Sequence, residues 1–67
     1  MNKFSEVLSE LMKEKNISQI QLARYLNVGQ QTVSKYMNHK IEPSLDTVIK
    51  IAKYFEVSTD YLLGLED

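Results

Sequence analysis

Within VGQQTVSKYMNHK, residues 28–40, two adjacent glutamines, Gln30 and Gln31, are followed by Ser34 and Lys35. None of these types is a nucleophile without a base beside it, and what they share is hydrogen bonding. A glutamine amide presents one donor and one acceptor side by side, the pattern that complements N6 and N7 of adenine in a major groove. Lys35 and Ser34 add an ammonium and a hydroxyl, both able to donate. Other chemistry-bearing types are scarce. The absence of cysteine removes disulfides, thiolate nucleophiles and Cys-ligated zinc together. His39 is the single histidine and has no second ligand type nearby, so no metal is expected. With no paired acid at a readable spacing and no Gly-rich phosphate loop, the sequence predicts no catalytic residue, no cofactor and no small-molecule substrate.

The net charge of -1 hides an uneven distribution. Residues 1–14 carry Lys3 and Lys13 against Glu6, Glu10 and Glu14, and residues 41–67 carry two lysines against six acids. The centre, residues 15–40, holds Lys15, Arg24, Lys35 and Lys40 with no acid at all. A chain acidic at both ends with an acid-free middle presents one face that a polyanion can approach.

The elements that must position this face read as helices throughout. Phe4, Val7, Leu8 and Leu11 form the apolar stripe of a first helix running to about Lys15, which Asn16-Ile17 ends. Ser18 stands three residues before Gln21, a capping-box pattern, and Leu22, Ala23 and Leu26 form the buried stripe of a short second helix. Asn27 tolerates positive φ, so Leu26-Asn27-Val28 reads as a tight turn with Val28 plugged into the core. Gly29 serves as N-cap of a third helix, about Gln30 to Met37. At about 100° per residue, Gln30, Ser34, Gln31 and Lys35 share one side of that helix, and Val33, Tyr36 and Met37 gather on the other. His39 to Pro43 is a loop. Ser44 caps a fourth helix whose predicted buried stripe is Leu45, Val48, Ile51, Ala52 and Phe55, with Asp46 in the first turn favouring the helix dipole. Ser58 caps a short fifth helix through Leu63, and Gly64 stops it.

At 67 residues with no tract of about 18 apolar residues, one domain over 1–67 is expected, without a membrane span. No apolar h-region follows Met1, so a secretory leader is not expected and a cytoplasmic location is. Such a length buries roughly 60% of the unfolded surface, so each apolar stripe is needed for the core.

Two short helices joined by a turn of about three residues are a helix-turn-helix. The run ISQIQLARYLNVGQQTVSKYMN resembles the helix-turn-helix of the Cro/C1-type phage repressors and the xenobiotic-response-element family of bacterial and phage regulators. Ala23 stands where that family places a small residue, Asn27 where it usually has glycine in the turn, and Val33 where it places a β-branched core residue. The run EPSLDTVIKIAKYFEVSTDYLLGLED is similar to the family's fourth and fifth helices. The chain departs from the pattern at Met37, where glutamate is frequent, and at His39, where glycine usually closes the helix, so Asn38 or His39 must take a positive-φ role.

The resemblance implies an all-α, compact five-helix bundle of the lambda-repressor-like type, with the helix-turn-helix spanning about residues 18–38. It implies a sequence-specific double-stranded DNA-binding regulator, a repressor, that inserts its third helix into the major groove of a two-fold operator. Base reading falls on Gln30, Gln31, Ser34 and Lys35. Phosphate contact falls on Gln19, which also braces the first glutamine, and on Lys40, Lys35, Asn38 and Lys15; Arg24 joins them, faces solvent, or pairs with an acid such as Glu10 or Glu14. Ile20, Tyr25, Leu63 and Leu65 exceed what a core stripe needs, and Tyr61, Leu63 and Leu65 are the expected homodimer contact on DNA. The competing reading is a protein-interaction module, such as an antitoxin or scaffold on the same fold. The overall acidity and surplus aliphatics favour it, and the acid-free centre opposes it.

Overall fold

The computed structural model describes residues 3–66; Met1, Asn2 and Asp67, where the predicted domain begins and ends, lie outside them. Among the described residues the chain forms five helices and no strand: α1 (Phe4–Lys15), α2 (Gln19–Leu26), α3 (Gln30–Met37), α4 (Leu45–Phe55) and α5 (Thr59–Leu62). No helix is long and apolar enough to cross a membrane.

Local chemistry sets the ends. Ser18, Ser44 and Ser58 each occupy an extended N-cap whose hydroxyl accepts from a backbone N–H three residues on. Each helix ends in a left-handed residue: Asn16, Asn27, His39 and Glu56 at φ near 60°, and Gly64 at 76°. Behind each of these, the next backbone N–H returns to a carbonyl five residues back, as Val28 does to Ala23 at 3.0 Å and Lys40 to Lys35 at 2.9 Å. This is the Schellman closure, which satisfies carbonyls the helix leaves open. Only at Gly64 is the residue a glycine, and there a Cβ would also sit 2.7 Å from Lys3 Cβ.

The core is built from every helix. Leu8, Leu22, Val33, Ile51 and Leu62 are fully buried, one from each of α1 to α5. Each contributes roughly 1.5–3 kcal/mol relative to an exposed side chain. Phe4 meets Tyr36 edge to face at 6.2 Å, joining α1 to α3, and Tyr25 of α2 stacks on Tyr54 of α4 at 4.5 Å.

Two expected core residues lie outside. Val28 is 38% exposed, because the turn uses its backbone N–H to close α2 and leaves the side chain half in solvent. Leu45 is 70% exposed: it is the first residue of α4, and burial on that helix begins only at Val48. Conversely, Ser5 is buried although polar, and its hydroxyl donates to the Tyr36 carbonyl.

Candidate nucleic-acid interface

α2 starts where Ser18 Oγ accepts from the Gln21 N–H at 3.1 Å and Gln21 Oε1 accepts from the Ser18 N–H at 2.8 Å, a reciprocal box that fixes the direction of its first turn. Asn27 then reverses the chain and Gly29 opens α3 in extended conformation. Gly29 has φ -77° and open space around a virtual Cβ, so neither its dihedral nor its packing demands a glycine.

α3 is split lengthwise. Val33 and Tyr36 are buried and Met37 packs partly against them, while Gln30, Gln31, Lys35 and Asn38 are exposed and Ser34 is half-buried. The exposed set forms one polar strip. Gln30 Nε2 donates to Gln19 Oε1 at 3.4 Å, so the first residues of α2 and α3 meet at the head of that strip through a long, weak bond. At the other end, the Asn38 amide donates to the Ser34 carbonyl at 2.9 Å and reaches Ser34 Oγ at 3.3 Å. Of the two residues available for positive φ, His39 takes it at 60°, while Asn38 stays at -104°.

The end of α3 is held from outside the motif. The Tyr36 carbonyl, second acceptor of the Schellman closure, is taken by Ser5 Oγ of α1. His39 Nε2 lies 3.6 Å from Glu6 Oε1, an exposed pair that contributes little. Sequence reasoning missed Ser5, although its spacing to Leu8 and Met12 at i+3 and i+7 places it on the buried stripe.

The other expected contacts sit apart from one another. Lys15 is exposed in the last turn of α1 and Lys40 just beyond α3; Arg24 is exposed and makes no ion pair among the described residues. At the far end, Tyr61 and Leu65 are exposed, whereas Leu63 packs partly against the core. No cluster of potential metal ligands occurs among the described residues.

α2, the Asn27–Gly29 turn and α3 therefore constitute a helix-turn-helix with a polar strip on its second helix. The helix-turn-helix family profile matches residues 8–62, and the chain belongs to that family, in its Cro/C1 type. It is 35% identical over 60 residues to the HTH-type transcriptional regulator ImmR of Bacillus subtilis, covering 90% of this chain and 47% of that protein. It is 38% identical over 64 residues to the HTH-type transcriptional activator BcrR of Enterococcus faecalis, covering 96% of this chain and 31% of that one. A crystal structure of a transcriptional regulator from Listeria innocua matches with a TM-score of 0.93 at 37% identity, over 100% of this chain and 63% of the other. The chain thus spans less than half of either named regulator. What it shares with them is the helix-turn-helix of transcriptional regulators.

Proposed function

We propose that the chain is a sequence-specific repressor that lays α3 in the major groove of a two-fold operator. The observation that carries this reading is the strip of Gln30, Gln31, Ser34 and Lys35 along one face of α3, on a stretch free of acids from residue 15 to 40. Gln30 and Gln31 read adenine edges and Lys35 reads guanine, with Ser34 beside them. Gln19, through its bond to Gln30, braces the first reader and contacts a phosphate; Lys15 and Lys40 supply further phosphate contacts. The operator is occupied by a homodimer joined through exposed Tyr61 and Leu65, with Leu63 at the edge of that patch. Repression by occupancy follows the resemblance to phage repressors. One relative is named an activator, so a promoter-reporter assay in which the chain raised expression would reverse this part.

The test is selection from random duplex DNA followed by a salt titration. Recovery of a palindrome with half-sites roughly 34 Å apart is the expected result. With about four to six phosphate contacts, log K should fall against log salt with a slope near -0.9 per contact. No enriched sequence together with a flat salt response would overturn the reading and favour a protein-interaction module.

A further inference from the structure

Asn38 closes the polar strip, and its hydrogen bonds fix which way its amide faces. It lies on the same side of α3 as Ser34 and Lys35, at about 80° from Gln30 on a wheel of 100° per residue. It is exposed, yet its side chain is held in place. The Ser34 carbonyl can only accept, so the group meeting it at 2.9 Å is the amide nitrogen, and the orientation of the amide follows from the network. The same nitrogen approaches Ser34 Oγ at 3.3 Å. With its amide nitrogen directed at Ser34, Asn38 retains Oδ1 as an acceptor.

Resting on the DNA-binding reading above, we infer that Asn38 is a specificity residue that accepts a hydrogen bond from a base amino group, rather than a donor to phosphate. A phosphate oxygen is itself an acceptor and offers Oδ1 nothing. The donors that a major groove displays are N6 of adenine and N4 of cytosine. Ser34 complements this polarity. With Oγ receiving the Asn38 amide, its own hydrogen is free to donate, so Ser34 and Asn38 present a donor beside an acceptor. Adenine matches both at once through N7 and N6, which makes an A·T pair the expected position. The amide is fixed before DNA arrives, so little side-chain freedom is lost on binding.

The experiment is a cycle between protein and base. In the operator selected by the parent chain, each adenine is replaced singly by purine, which keeps N7 and lacks the N6 amine, and each cytosine by 2-pyrimidinone, which lacks the N4 amine. At one position beyond those that Gln30 and Gln31 read, amine removal should weaken the parent roughly 10-fold, within the range of a good base contact. The Asn38→Ala variant should bind the amine-bearing and amine-lacking operators alike at that position and keep its discrimination elsewhere. Ser34→Ala should retain the amine dependence, because the Asn38 amide still meets the residue-34 carbonyl. A melting curve of Asn38→Ala checks folding, and the base replacements on the parent need no variant at all. If Asn38→Ala weakens operator and scrambled duplex equally and keeps every amine dependence of the parent, Asn38 is a phosphate contact and the inference fails while the DNA-binding reading stands. Unchanged binding of Asn38→Ala to every duplex also sinks it, leaving a helix-end bond only. Failure to select any operator sinks both.

Discussion

The α2–α3 unit and the α4–α5 unit obey the same local rules and differ in what they show to solvent. Both begin at a serine N-cap, both contain a left-handed turn between their helices, and both bury an apolar stripe. Their outer faces diverge. Residues 15–40 expose amides and cations with no acid, beside Ile20, Tyr25 and Val28, whereas residues 41–66 expose Glu42, Asp46, Glu56, Asp60 and Glu66 against Lys50 and Lys53, beside Leu45 and Leu65. Backbone and core chemistry therefore set the fold, and the exposed positions, which the fold leaves unconstrained, carry the difference in charge between the two halves. The acidic half keeps the net charge near zero without placing a carboxylate on the polar strip.

The largest expected effect comes from erasing the outer face of α3 while leaving its inner face alone. Gln30→Ala and Gln31→Ala should each cost about 1–3 kcal/mol on the operator and leave scrambled DNA nearly unchanged. The melting temperature should hold or rise, since alanine has high helix propensity and neither glutamine is in the core. Lys40→Ala should instead weaken operator and scrambled duplex together and reduce the salt slope by about 1 per subunit. Titrations of both duplexes at several salt concentrations separate the two behaviours. Glutamine variants that bind every operator variant as the parent does would remove the contrast between the halves, and the interaction-module reading would replace it.

An effect of similar size, on stability rather than on base reading, tests how the two faces are held in register. Ser5→Ala removes the donor to the buried Tyr36 carbonyl at the end of α3. An unsatisfied buried carbonyl costs about 1–3 kcal/mol, which denaturant unfolding would read as a lower midpoint at unchanged slope. Operator affinity measured well below the melting temperature should fall as well, because α1 no longer fixes the last turn of α3. A midpoint within error of the parent would mean that water replaces the hydroxyl and that α1 does not orient the helix.

Much of this was legible in the residues. The three-residue spacing of Ser18 and Gln21 identified a capping box that the structure contains, and the stripe of Leu22, Ala23 and Leu26 identified the buried face of α2. Val28 and Leu45 were misplaced because hydropathy reports what a residue favours, not whether a neighbour covers it. Val28 sits at a turn closed by its backbone, and Leu45 lies ahead of the buried part of α4. The burial of Ser5 follows from its spacing to Leu8 and Met12, but its partner is 31 residues away, a separation that no local pattern encodes. The polar strip was readable residue by residue, but the fixed orientation of Asn38 was not, since it depends on the geometry at the end of α3.

The smallest expected effect falls at the seam between the halves. His39 holds φ 60° without being a glycine, and its ring lies 3.6 Å from Glu6 with both side chains more than half exposed. Left-handed geometry costs a residue with a Cβ about 1–2 kcal/mol, which His39→Gly would relieve. Glycine in turn loses about 0.5–1 kcal/mol to the greater freedom of the unfolded chain, and the exposed pair with Glu6 contributes little that could be lost. The balance is a gain of about 0.5 kcal/mol, which for a chain of 67 residues is a rise of roughly 2–4 °C in the melting temperature. Glu56→Gly, at φ 59° after α4, offers the matched substitution in the acidic half and should gain by a similar amount. If Glu56→Gly stabilises and His39→Gly does not, the imidazole makes a contribution at the end of α3 beyond closing the helix, and the two halves differ in their backbone joints as well as in their faces.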